Sequence, residues 1–223
     1  MDRLYIAGGP STRGPSTYKD ALRCLRFYAF RRSGKGRSPS EAQATGSVIH
    51  AGVAHFRARQ GAAQSGGFNH AGVHYTHPDQ ILTPDEAVER SIEEERARGG
   101  EPSADKARGA VNHYVATCSR ERLRILAVEE EYKVEIALPG DTRPALFTTR
   151  VDLVAQSPQS GIVTIWDTKT TAVIKGNSHA RYYSVDLQFL GLRFVGQQLY
   201  GERFGGAVLD MVQREPPHRI FRP

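Results

Sequence analysis

Asp152, Asp167 and Lys169 are the residues best placed to do chemistry together. They lie in the stretch Thr148 to Thr171, TTRVDLVAQSPQSGIVTIWDTKTT, which reads as two strands joined by a turn. Val151, Leu153 and Val154 make the first run and Ser157 to Gly161 the turn. Ile162 to Trp166 make the second run, rich in β-branched residues. Strand side chains alternate between faces, so Asp167 and Lys169 share one. Asp152 joins them if the hairpin sets it opposite Ile165 or Asp167, and a one-residue slip sends it to the other face. Two carboxylates and an ammonium at one sheet edge are costly unless a cation sits between the carboxylates. A divalent metal ion meets that need. The plainer alternative is a set of surface salt bridges on an ordinary sheet.

Several elements have to hold these residues. A helix is predicted from Thr17, with Ala21, Leu22, Leu25, Tyr28 and Ala29 at helical spacing. Its other face carries Arg23 and Arg26, with Arg31 and Arg32 near its end and Lys35 and Arg37 in the basic loop that follows. Two readings stand for these six cations: a solvated face, helped by positive charge near a helix C-terminus, or a patch that contacts phosphates. A second helix starts near Ser40 and carries His50 beside an apolar side of Val48, Ile49, Gly52, Val53 and Phe56. His55 lies farther round it. Gly61 to Ile81 reads as a Gly/His-rich insertion and a surface loop, in which His70, His74 and His77 are one ligand short of a structural zinc site.

Thr83-Pro84-Asp85-Glu86 predicts a capped helix start, and Gly99-Gly100 its end. Ser103 caps a further helix that runs to about Cys118. Ile125 to Leu138 is strand-like, Pro139 to Asp141 a turn, and Leu146 leads into the hairpin, so three consecutive antiparallel strands result. Ser184 is expected to cap a helix that contains Gln188, and Ala207 to Val212 reads as a last strand. The outline is α/β: a mixed sheet with an antiparallel meander, flanked by helices.

With 223 residues the chain can bury a proper core as one domain, 1–223, with an irregular arm over 1–15. Thirty Lys and Arg against 24 Asp and Glu leave a net charge of +6, which favours an anionic partner, nucleic acid before membrane. No apolar run is long enough to span a bilayer, and none follows Met1 as a leader would. Two cysteines, Cys24 and Cys118, are too few for a disulfide framework or a four-cysteine metal site. The default setting is a reducing cytoplasm.

The order of these motifs resembles the PD-(D/E)XK nuclease superfamily, and most of all its RecB-like exonuclease branch with small phage-type members. The residues that carry the resemblance are Gly46 and His50 on a helix, Asp152 within TRVD, Asp167-Thr168-Lys169 after the hairpin, and Gln188 on the following helix. Ser16-Thr-Tyr18 with Cys24 to Tyr28 is similar to the family's opening helix. Glu129 sits where a glutamate often precedes the meander, and Val208 to Pro217 looks like the closing strand and tail of phage relatives. The chain departs from the pattern at Thr149, Leu25 and Leu192, where relatives often have glycine, proline and tyrosine. No charged group of the site is lost by these changes.

The resemblance implies a restriction-endonuclease-like core and phosphodiester hydrolysis of DNA. It implies a Mg²⁺ or Mn²⁺ ion held by His50, Asp152, Asp167, the Thr168 carbonyl and Glu129 as an outer ligand. Lys169 would stabilise charge or orient water, and Gln188 would fix Lys169 or a phosphate oxygen. Iron–sulfur members carry three further cysteines near the C-terminus, whereas here Cys118 is the only other cysteine, which argues against a cluster. A homo-oligomer, or a recombinase or helicase partner, in a bacterial or phage-infected cell fits the same branch. The competing class is a catalytically silent nucleic-acid-binding module on this fold.

Overall fold

In the computed structural model the described residues are 38–70, 73–136, 145–184 and 186–222. The expected arm over 1–15, the helix from Thr17 with its six cations, and the turn at Pro139 to Asp141 lie outside them. The elements run α1 (Glu41–Ser65), β1 (Phe68–His70), β2 (Val73–Tyr75), α2 (Pro84–Ala97), α3 (Ala104–Cys118), β3 (Arg124–Ile136), β4 (Ala145–Gln156), β5 (Val163–Thr171), α4 (Asn177–Ser184), α5 (Leu187–Tyr200), β6 (Phe204–Gln213) and β7 (Ile220–Phe221). Five strands form one sheet in the order β3-β4-β5-β6-β7. Only the β5–β6 pairing is parallel, with α4 and α5 as its crossover. The α/β class with a mixed sheet, read from the order of elements, is the fold observed.

The central element is α1. Ser40 accepts from the Gln43 backbone while the Gln43 side chain returns to Ser40, and Gly66 closes the helix at φ 62°. Its middle is apolar and small on almost every side, because α2 and α3 pack on one flank and the sheet on the other. Val48 and Ile49 join Val88, Val111 and Tyr114; Ala54 and Ala58 join Val128, Leu153 and Trp166. Each large side chain buried here contributes about 1.5–3 kcal/mol. On the opposite face Leu192 of α5 meets Val151, Val154 and Ile165. The sheet is therefore sandwiched, and both helical layers reach the same strand ends.

Three expectations need correction. Gly61 to Ile81 is not simply a surface loop: it begins as the last turn of α1, and Phe68 and Tyr75 of the β1–β2 hairpin are buried in the core. Ser184 does not cap the helix that contains Gln188. It ends α4, an eight-residue helix that sequence reading missed, and Asp186 caps α5 by accepting from the Gln188 backbone at 2.8 Å. His55, placed away from the apolar side, is fully buried, with Nδ1 2.9 Å from the Ala51 carbonyl. A helix enclosed on all sides has no solvent face for it.

Candidate active site

The site forms where β4 and β5 part. Their register pairs Val154 with Ile165 and Leu153 with Trp166. One step further would set Asp152 across from Asp167, the same-face register of the two left open by the sequence. The ladder stops there, and the Asp152 carboxylate replaces it by accepting from the Thr168 backbone N–H at 2.6 Å. On the other side of β4, Glu129 of β3 turns to φ 52°, a left-handed conformation costly for a residue with a Cβ. Val128–Leu153 and Glu130–Val151 pair on either side of it. The local strain thus falls on an acidic residue opposite Asp152.

Helix α1 brings His50 to these carboxylates. Nε2 lies 3.0 Å from Asp152 Oδ2 and Nδ1 3.3 Å from Glu129 Oε1. Gly46, one turn earlier, is needed for the approach, since a Cβ there would stand 2.7 Å from Thr170 Oγ1 of β5. The glycine and histidine four residues apart are one device: the first lets the helix close on the strand, the second reaches the acids.

Helix α5 supplies the other side. Lys169 Nζ is 2.7 Å from Asp167 Oδ2 and donates to Asp167 Oδ1 at 2.9 Å and to Gln188 Oε1 at 3.0 Å. Gln188 Nε2 donates to Asp167 Oδ1 at 2.6 Å. Asp167 is nearly inaccessible, whereas Lys169 and His50 are about a quarter exposed. The site is thus buried at its acids and open at its cations.

Electrostatically the acids outnumber their partners. Burial, with the negative charge of Asp152 and against the attraction of Lys169, pushes Asp167 up to about 6. Burial and Asp152 carry Glu129 up to about 7 despite His50. Asp152 is held below the usual carboxylate range because His50 and Lys169 outweigh its burial. Burial works against the charge of His50, yet Asp152 and Glu129 overcome it and push the imidazole up to about 10. Lys169 stays an ammonium: Asp167 and Asp152 outweigh its desolvation and raise it above its ordinary value.

A divalent cation fits these residues. One ligand atom each from His50, Glu129 and Asp152 can be chosen so that all lie within 4.8 Å of one another. Glu129 Oε1 and Asp167 Oδ2 are buried and have no hydrogen bond beyond their ion-pair contacts with His50 and Lys169. Beside them a cavity of ≈ 10 Å³, lined by His50, Glu129, Asp152 and Thr168, is about large enough for one water. Asp167 stands outside the group of three, on Lys169 and Gln188. Sequence reading overlooked Asp186, which holds the first turn of Gln188's helix. It also overlooked Arg150, whose charge acts on Glu129. An aspartate just before an apolar helical run was the available signal for the first; nothing in the sequence marked the second.

Compared with known proteins, the chain matches the family model of the PD-(D/E)XK nuclease superfamily over residues 14–198. The chain belongs to that superfamily of nucleases, whose chemistry is phosphodiester hydrolysis. No curated protein matches it. Among solved structures it is similar to one titled "Crystal structure of SSO0001", at 14% identity and a TM-score of 0.30, over 61% of this chain and 54% of that one. The match thus spans about half of that chain's length. No helix among the described residues is long and apolar enough to cross a membrane.

Proposed function

We propose that the chain is a metal-dependent deoxyribonuclease, acting as an exonuclease on DNA ends in recombination, repair or phage DNA processing. The observation that carries this reading is the adjacency of two groups: the His50, Glu129 and Asp152 ligand atoms, and the Asp167–Lys169–Gln188 set. His50, Glu129 and Asp152 would hold a Mg²⁺ or Mn²⁺ ion, with Asp167 and the Thr168 carbonyl as further oxygen donors. Oxygen donors suit either ion, and the imidazole favours Mn²⁺. Such an ion neutralises charge on the phosphate and lowers the pKa of a bound water.

The remaining steps belong to the side chains. Lys169 offers a fixed positive charge to the oxygens on which charge builds, and orients the attacking water. Its raised pKa suits that role better than proton abstraction. Gln188 fixes both Lys169 and Asp167. Arg23, Arg26, Arg31, Arg32, Lys35 and Arg37 would contact DNA phosphates. The exonuclease reading is supported by the similarity of the motif order to the RecB-like branch.

The test is incubation with linear and circular DNA, single- and double-stranded, in EDTA, Mg²⁺ and Mn²⁺. Loss of linear DNA alone, with either metal and not in EDTA, is expected. Asp167→Asn should slow it roughly 10²–10³-fold. Nicking of circles would make the protein an endonuclease. DNA binding without cleavage in any metal would make it a silent binding module and overturn the proposal.

A further inference from the structure

The segment joining Lys169 to Gln188 has a chemistry of its own. From Ala172 to Val185 it carries Lys175, His179 and Arg181 and no acidic residue. Its helix α4 places two consecutive tyrosines beside the site. Tyr183 packs on Phe189 of α5 with ring centroids 5.7 Å apart. It lies near enough to Lys169 and Asp167 for both charges to act on its phenol. Tyr182 meets Tyr183 edge to face, at 5.2 Å and 87°. Yet Tyr182 is 61% exposed, more than any other large hydrophobic side chain described. Three rings therefore run from solvent to the first turn of the helix that carries Gln188.

So exposed a ring buries little surface for the fold, and its edge-to-face contact occupies at most one of its two faces. Proteins that hold single strands combine such a ring with positive charge, because every base has a π-face and every nucleotide a phosphate. Lys175 and Arg181 are exposed on the same segment. We propose that Tyr182 is a stacking platform for a base of an unpaired DNA strand at the cleavage site, with Lys175 and Arg181 taking its phosphates. This rests on the nuclease reading, and it adds a substrate class: the site receives a single-stranded or frayed end rather than intact duplex. Sequence tolerance follows, since stacking does not read base edges.

The experiment titrates single-stranded oligonucleotides carrying 2-aminopurine into the protein in EDTA, where no cutting occurs. Wild type and Tyr182→Phe should quench the base and bind alike, and Tyr182→Ala should bind roughly tenfold more weakly without quenching. An abasic site moved along the strand should weaken wild type by a similar factor at one position and leave Tyr182→Ala unaffected there. Equal affinity and quenching in Tyr182→Ala, or abasic penalties identical in both proteins at every position, overturn the platform. Thermal melting of each variant checks that this surface change leaves the fold intact. If wild type binds and quenches but cuts with no metal, the nuclease reading fails and the platform survives. If wild type cuts and Tyr182→Ala matches it in both binding and KM, the platform alone fails.

Discussion

Two buried polar clusters lie on either side of one small cavity, and they are built on opposite principles. The candidate active site gathers Glu129, Asp152 and Asp167 against Lys169 and His50. The other gathers Arg57 and Arg222 against Glu121 and Asp210, with Tyr114 between them. There Arg57 bonds Tyr114 at 2.9 Å and Glu121 at 2.7 Å. Tyr114 donates to Asp210 at 2.6 Å, and Arg222 donates to Asp210 at 2.6 Å and to Glu121. Both guanidinium groups lie over the Trp166 ring, at 5.9 and 4.7 Å. Two cations meet two anions, and among the described residues no buried atom of this network lacks a partner. The active site has more carboxylates than the two cations that touch them, and carboxylate oxygens held by ion pairs alone. The balanced cluster ties α1, α3, β6 and the segment after β7 to one another. The unbalanced one, held in place by that frame, keeps an appetite for a cation.

The comparison breaks first at Arg57. Arg57→Met should cost about 3–5 kcal/mol, because it leaves two anions, Glu121 and Asp210, to share the single cation Arg222 in a largely buried network. Urea denaturation in EDTA reads this directly. A loss under about 1 kcal/mol would mean that the network behaves like a surface salt bridge. The effect on His50 chemistry would be secondary, through α1.

The next effect concerns protons. At pH 7 the imidazole of His50 is charged, and a metal ion needs it neutral. Mn²⁺ must therefore displace one proton above pH 7, and a second from Glu129 below about 7. Affinity should rise about tenfold per pH unit between 7 and 9, and more steeply from 6 to 7. Calorimetric titration in two buffers of different ionisation enthalpy should find about one proton released at pH 8 and two or more at pH 6, where Asp167 is itself partly protonated. An affinity independent of pH would mean that the acids are already compensated, as they are in the neighbouring network.

Much of this was legible in the residues themselves. Asp152, Asp167 and Lys169 announce themselves as charges within or just after two apolar strands, whereas the register that brings them to one face is open in the sequence and is set only by the β4–β5 ladder. Gln188 and His50 were legible only through their order along the chain, since a lone amide or imidazole on a helix signals nothing. What stayed hidden was whatever depends on contacts distant in sequence. Arg57 and Tyr114 are 57 residues apart, and Tyr114 and Asp210 are 96 apart. No periodicity links them, and nothing in the sequence singled out Arg57 on α1. The positive φ at Glu129 was equally silent, because tertiary demand overrides the local preference of a strand glutamate. Helix α4 escaped for a simpler reason: eight mostly polar residues, NSHARYYS, are too short a run for a period to show.

The smallest effect bears most directly on imbalance. In the folded, metal-free protein Glu129 is raised from about 4.5 to about 7, so the native state binds its proton more tightly than the unfolded chain does. Below 4.5 both states are protonated and the group costs nothing. Between 4.5 and 7 the unfolded chain has lost this proton while the native carboxyl beside Asp152 keeps it, so stability falls across that window and the full cost stands above 7. Glu129→Gln keeps the shape and removes that charge. In EDTA at pH 8 the variant should therefore be more stable than wild type by about 1–3 kcal/mol, and the gap should shrink towards pH 5. In saturating Mn²⁺ the order should reverse, because only wild type gains the full linkage of a bound ion. A Gln variant less stable than wild type at pH 8 in EDTA would place Glu129 with Asp210 and Glu121, as a compensated acid of the frame. It would also leave its left-handed backbone without a functional reason.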